Sequence, residues 1–140
     1  MRNKVTVVGA GNVGATTAQR IFDKGYADVV LVDIVEGLPQ GKALDMLEAG
    51  PVLGTDASII GTNGYEETEG SDIIVITSGV ARRPGMSRDD LLLTNMRIVT
   101  SVVQETVKHS PDGILWWSPT RLTRWPNARM RSAGFPVNAS

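Results

Sequence analysis

A short apolar run, Val5-Thr6-Val7-Val8, breaks directly into Gly9-Ala10-Gly11-Asn12-Val13-Gly14, and a second apolar run from Val29 to Val32 ends on Asp33. This order of strand, glycine turn, helix and acid-ended strand is the pattern of a dinucleotide-binding βαβ unit. Gly9 permits the tight turn, Gly11 lets the backbone approach a pyrophosphate, and Gly14 lets the following helix pack closely on the sheet. The diphosphate is expected on the helix N-terminus, where free N–H groups and the positive end of the dipole favour an anion. Asn12 and Val13 belong to the same cofactor-binding turn. Asp33 lies 19 residues after Gly14, near the usual spacing of about 20 for the acid that binds the adenosine ribose. A ribose phosphate would meet that carboxylate, so NAD is expected over NADP. A similar turn also serves FAD and nucleoside-containing methyl donors, and a structural glycine loop is the plain alternative.

The 140 residues suffice for one domain with a real core and are too few for a nucleotide domain plus a full substrate domain. No stretch approaches the ~18 apolar residues of a membrane span, so no membrane partner is expected. Met1-Arg2-Asn3-Lys4 leads into a strand rather than a secretory segment, and a cytoplasmic location is expected. With no cysteine there is no disulfide framework or thiolate site, and no metal is expected.

The net charge of −1 hides a compositional break. Residues 1–115 hold ten Lys+Arg and all 15 Asp+Glu, whereas residues 116–140 hold four Arg, no acid and all three tryptophans. Across the body, strands alternate with amphipathic helices, which predicts an α/β, doubly wound parallel sheet of Rossmann type. Val13, Thr17, Ile21 and Phe22 fall at helical spacing, with Gly25 ending the first helix. A second helix is predicted over Gly37 to Ala49, with Leu38, Leu44, Met46 and Leu47 as its apolar positions and Gly50-Pro51 as its stop. Ser58 to Gly61 and Asp72 to Thr77 read as strands three and four. Ser87-Arg88-Asp89-Asp90 resembles a capping box opening a long helix to about Lys108, and Ile114-Leu115 begins a fifth strand that is not completed in recognisable form.

The loop after strand four, Ser78 to Arg88, leaves the strand expected to flank the switch in strand order, where ligands of open α/β sheets bind. Arg82 and Arg88 offer planar forks matched to a carboxylate and suited to polarising a carbonyl. A solvated basic loop is the alternative. His109, the only histidine, sits near a helix end before Ser110-Pro111 and reads as a helix-terminal surface residue rather than a catalytic base.

The turn Gly9 to Gly14, Val32-Asp33-Ile34, the stretch Glu36 to Asp45 and the stretch Thr77 to Leu91 together resemble malate dehydrogenase of the lactate-dehydrogenase-like bacterial type. The resemblance covers residues 1–115 and implies the amino-terminal NAD-binding Rossmann domain of a two-domain enzyme of the tricarboxylic acid cycle, interconverting malate and oxaloacetate. It implies that Arg82 pairs with the second carboxylate that separates oxaloacetate from pyruvate, where lactate dehydrogenases carry an amide. By the same resemblance Arg88 polarises the reacting carbonyl, Asn95 contacts the cofactor, and Thr77, Ser78 and Gly79 line the cofactor's path. It further implies homodimers or homotetramers, with the Gly37 to Ala49 helix near a subunit contact. The family's proton-transfer histidine, its carboxylate partner and a third substrate arginine fall beyond residue 140, so the catalytic domain is absent and these residues alone are expected to be inactive. Lactate or another 2-hydroxy acid is the alternative substrate, and a non-catalytic NAD-binding module the alternative function.

Residues 116–140 depart from that pattern, although they continue the same domain. Where the family continues its strand into Ser-Asn-Pro, the chain has Trp116-Trp117-Ser118-Pro119-Thr120-Arg121. Tryptophan has the single codon TGG, so Trp116-Trp117 preceded by G reads GTG-GTG in the neighbouring frame. Codons for Ser118 to Pro126 read one base earlier permit Val-Ser-Asn-Pro-Leu-Asp-Ala-Met-Ala. A frameshift over 116–131 is therefore expected, with family-like sequence resuming near Ser132-Ala133-Gly134-Phe135-Pro136. The rival is a genuine basic, aromatic tail that binds nucleic acid or an acidic surface, leaving an apolar sheet edge open; the frameshift reading involves no nucleic acid.

Overall fold

The computed structural model describes residues 2–118 and 129–131. Strand β1 (Lys4–Val8) is followed by α1 (Asn12–Asp23), β2 (Asp28–Val32), α2 (Leu38–Leu53), β3 (Ile59–Thr62), a 3-10 turn (Glu66–Thr68), β4 (Ile73–Ile76), α3 (Arg88–His109), β5 (Ile114–Trp117) and β6 (Arg129–Arg131). The strands lie in the order β3-β2-β1-β4-β5-β6. The first five are parallel, and β6 runs antiparallel to β5. The chain steps outward from β1 through β2 to β3 and then crosses to β4 on the other side of β1, so strand order reverses between β1 and β4.

The apolar runs of β1 and β2 are continuous because both faces of the sheet are covered. Val5, Val7, Val29 and Leu31 pack with Ala18 and Phe22 of α1, Ala43 of α2 and Ile59. Their alternates Val8, Val30 and Val32 pack with Ile74, Ile76, Val102 of α3 and Leu115. This is a Rossmann-type doubly wound sheet.

Several expectations need correction. Strand β3 begins one residue later than predicted, and β4 is trimmed by one residue at each end. Helix α2 does not stop at Gly50-Pro51 but continues to Leu53 and ends on Gly54, whose φ of 70° suits glycine. Pro51 lies inside the helix and forfeits the hydrogen bond its nitrogen would give to the fourth residue back. The face that holds α2 to the sheet is set by Pro39, Ala43 and Gly50, with Leu38 and Met46 partly buried beside them. Leu44 and Leu47, predicted as packing positions, are instead exposed.

In α1 the buried positions are Gly14, Ala15, Ala18 and Phe22, while Val13 is exposed. Gly14, Ala15 and Ala18 let the first turns of α1 approach the sheet, and Phe22 fills the core near the end of the helix.

The fifth strand is completed. Trp116 and Trp117 stand in register with Val75 and Ile76, and Trp117 packs partly buried against the second core. Aromatic residues suit a pleated surface, and β6 covers the edge that was expected to lie open. The predicted frameshift spans these strands, but most of it and the resumption near Ser132 fall on 119–128 and 132–140, outside the described residues.

Candidate functional site

The candidate site lies at the carboxyl ends of β1, β2 and β4. Gly9 leaves β1 with φ +107°, and its N–H donates to Val32 O at 2.7 Å, which ties the turn to β2. A Cβ on Gly14 would lie 1.7 Å from Gly9 O, so the first turn of α1 rests directly on the loop that precedes it. Nothing lies within 4 Å of the position a Cβ on Gly11 would take. The space beside the turn is therefore open on the side of Gly11.

Gly11 is the N-cap of α1 and offers no side-chain cap, and the first turn of the helix carries no acidic residue. The first N–H groups of a helix have no partner within it. Among the described residues no side chain caps this end, so the free N–H groups and the positive end of the dipole stand beside the open space at Gly11, as an anion requires. The residues fit a diphosphate here.

Asp33 directly follows β2 and is half-buried. Its Oδ2 accepts the Ala10 N–H at 2.7 Å, and its Oδ1 accepts the Val35 N–H at 2.9 Å. The carboxylate is thereby fixed against the turn rather than free to swing into water. Asn63, just beyond β3, donates through Nδ2 to Asp33 O at 2.7 Å and Val35 O at 3.1 Å, which holds the backbone on either side of Ile34. Tyr65 stands close by. Burial, followed by the negative charges of Glu105 and Asp33, holds its phenol above the ordinary value of 10.0.

The arginine loop starts in contact with the glycine turn. Thr77 Oγ1 donates to Val8 O at 3.1 Å and is within 3.2 Å of Gly9 O. Ser78 and Gly79 follow, and Ser78 also borders Gly9. Two residues on, the Val80 peptide is held by buried Asn95, whose Oδ1 accepts the Val80 N–H at 2.8 Å while its Nδ2 lies 3.4 Å from Val80 O. Asn95, predicted to contact the cofactor, thus has its amide engaged with the root of the loop.

Beyond this root the loop is exposed from Ala81 to Gly85. Arg83-Pro84-Gly85-Met86 makes a turn in which Gly85 has φ +83° and the Met86 N–H donates to Arg83 O at 3.1 Å. Arg82 Nε donates to Met86 O at 3.2 Å, and both Arg82 and Arg88 have exposed side chains. Neither is in an ion pair among the described residues. Arg88 is the first residue of α3, whose N-cap Ser87 accepts the Asp90 N–H while the Asp90 carboxylate accepts the Ser87 N–H. Hydrogen bonding to the carboxyl from the Ser87 side chain, and then from the Ser87 backbone N–H, holds Asp90 below its ordinary value of 3.8.

His109 ends α3, and its carbonyl accepts the Gly70 N–H at 3.2 Å, just before the strand starts of β4 and β5. It is at the opposite end of the sheet from Asp33 and Arg82, and it is partly buried rather than a fully exposed surface residue.

Sequence reasoning missed Lys42. Its Nζ donates to Ala10 O at 2.7 Å, from the second turn of α2 into the glycine turn. Only the packing of α2 across the sheet brings residues 42 and 10 together, and neither period nor local spacing signals that approach. Asn63 was missed for the same reason.

A family profile, lactate/malate dehydrogenase NAD binding domain, matches residues 3–117. A malate dehydrogenase from Thermomicrobium roseum is 57% identical over 136 residues, covering 97% of this chain and 44% of that protein. One from Bacillus subtilis is 57% identical over 137 residues, covering 96% and 44%. Among solved structures, apo malate dehydrogenase from Picrophilus torridus is similar with a TM-score of 0.80 and 48% identity over 82% of this chain and 37% of that one. A lactate dehydrogenase from Cryptosporidium parvum, complexed with lactic acid and nicotinamide adenine dinucleotide, gives 0.76 and 40% over 82% and 36%. The chain spans less than half the length of the relatives it matches.

Proposed function

The chain belongs to the lactate/malate dehydrogenase family through its NAD-binding domain, and on that premise we propose that the whole protein is an NAD-dependent malate dehydrogenase, catalysing reversible hydride transfer between malate and oxaloacetate. NAD is the cofactor of the domain. The observation that carries the reading is the contact between Thr77 and the backbone of Val8 and Gly9, which roots the arginine loop on the diphosphate turn.

In this reading Gly9, Gly11, Asn12, Val13 and Gly14 present the turn and its N–H groups to the diphosphate, and Asp33 takes the adenosine ribose hydroxyls. Bound NAD supplies the hydride acceptor or donor. Arg82 forks the carboxylate that oxaloacetate has and pyruvate lacks, and Arg88 stabilises negative charge growing on the reacting carbonyl oxygen. Thr77, Ser78 and Gly79 shape the path between the two, and Asn95 positions the loop through Val80. The acid/base pair and a third substrate arginine are assigned to the part of the protein beyond residue 140. Closure of an exposed loop over substrate would exclude water from the reaction.

Exposed Leu44 and Leu47 on α2 support a homodimer or homotetramer with this helix near the contact. Among the described residues no helix is long and apolar enough to cross a membrane. The reading places the enzyme in the cytoplasm and in the tricarboxylic acid cycle, acting on malate and oxaloacetate without nucleic acid or membrane.

The frameshift over 116–131 is kept as part of this proposal. Its support is the coding relation between Trp116-Trp117 and two valines, and no longer the open sheet edge, which β5 and β6 cover. Reading the gene across codons 115 to 134 decides it, and an unchanged frame would refute it.

Steady-state comparison of oxaloacetate with pyruvate tests the activity. The whole protein is expected to prefer oxaloacetate, and Arg82→Gln to shift preference towards pyruvate. A preference for pyruvate in the unaltered protein would overturn the role given to Arg82 and favour a lactate dehydrogenase. Binding of NADH with no turnover of any 2-oxo acid would favour a non-catalytic module.

A further inference from the structure

We propose that Lys42 is a positioning residue for the cofactor's diphosphate, acting through the Ala10–Gly11 peptide. The inference rests on the NAD reading of the glycine turn. Ala10 is fully buried, and its two peptide groups are gripped from opposite sides by two charged side chains. Asp33 Oδ2 accepts the Ala10 N–H at 2.7 Å, and Lys42 Nζ donates to Ala10 O at 2.7 Å. Both bonds are charge-assisted, the stronger class of hydrogen bond.

The Lys42 bond has a consequence that the Asp33 bond lacks. The carbonyl it holds belongs to the same peptide as the Gly11 N–H, which donates to no acceptor among the described residues. An ammonium on the carbonyl oxygen draws electron density from that peptide and makes its N–H a better donor, since linked hydrogen bonds polarise one another. It also fixes the peptide plane, and with it the direction in which Gly11 N–H points. Gly11 is the N-cap of α1, and the space where its Cβ would stand is open, so this peptide borders the place where the diphosphate fits.

The charge of Lys42 is available for this role. Among the described residues no carboxylate lies within 4.0 Å of its Nζ, and the first turn of α1 carries none. A half-buried ammonium therefore adds its field to the helix dipole at the site of two negative phosphates. The adenosine ribose, by contrast, is the concern of Asp33 one strand away. Lys42 should thus matter to ligands in proportion to their phosphate.

The test compares Lys42→Met, which keeps the apolar stem and loses the charge and donor, with Lys42→Arg, which keeps both. Dissociation constants for NADH, ADP and adenosine are measured by calorimetry on the whole protein, with thermal unfolding recorded without ligand. Loss of one charge-assisted bond predicts that Lys42→Met weakens NADH and ADP by about tenfold or more. Adenosine binding should change less than twofold by the same reasoning, Lys42→Arg should recover most of the NADH affinity, and Lys42→Met should lower the melting temperature by no more than the loss of one carbonyl partner. The proposal is overturned if NADH binds Lys42→Met as it binds the unaltered protein. It is equally overturned if adenosine weakens in step with ADP, which would make Lys42 a structural prop for the entire pocket. Failure of the unaltered protein to bind NADH would instead remove the NAD reading beneath it.

Discussion

Asn95 holds the Val80 peptide, taking its N–H at 2.8 Å from a buried position on α3. The arginine loop therefore has a fixed root and an exposed tip, and Arg82 and Arg88 can move only as far as Val80 and Ser87 allow. Asn95→Ala leaves the Val80 N–H without its partner, at a cost of about 1–3 kcal/mol if that group stays buried. Faster hydrogen exchange at Val80 and faster proteolysis between Ala81 and Ser87 are expected. Asn95→Asp keeps the acceptor and should exchange more nearly as the unaltered protein does. Unchanged exchange in Asn95→Ala would show that the loop is rooted elsewhere.

The glycines of the turn separate folding from binding. Helix propensity favours alanine over glycine by about 1 kcal/mol, yet a Cβ on Gly14 would sit 1.7 Å from Gly9 O and 2.6 Å from Thr77 Oγ1. Overpacking of this kind typically costs about 1–3 kcal/mol, so Gly14→Ala should lower the melting temperature. Gly11→Ala meets nothing within 4 Å and should melt as the unaltered protein does while losing NADH affinity. Thermal unfolding and NADH fluorescence on both variants check the contrast, and a stable Gly14→Ala would contradict it.

The cap of α3 has a pH signature. Hydrogen bonds with the Ser87 side chain and backbone hold the Asp90 carboxyl below its ordinary 3.8. A depressed carboxylate contributes stability above its unfolded value, and that contribution is lost as pH falls through the lower folded value. Asp90→Asn should therefore melt below the unaltered protein at neutral pH, and the gap should close as the solution is acidified below about pH 4. A gap independent of pH would mean that the carboxylate charge contributes nothing to the cap.

The elements whose signals are local were legible in the sequence. Gly9, Gly14 and Asp33 are placed by one turn and one strand, and the Ser87 to Asp90 cap closes within four residues. Features set by long-range packing were not. The small inner face of α1 put Val13 outside, and Leu44 and Leu47 of α2 face away from the sheet although they are apolar. Pro51 was read as a stop because propensity is local, whereas α2 is held on the sheet by Pro39, Ala43 and Gly50. Lys42 reaches Ala10 across 32 positions of chain, and Asn95 reaches Val80 across 15 through a loop whose path no spacing rule sets.

Calorimetric titration with NADH and NADPH tests the central claim most directly, because Asp33 is pinned by Ala10 and Val35 where the adenosine ribose is expected. A carboxylate accepts from ribose hydroxyls and repels a 2′-phosphate. The account predicts heat on NADH binding and at least tenfold weaker binding of NADPH, on the order of 1.4 kcal/mol. No heat with NADH, or tighter binding of NADPH, would contradict it.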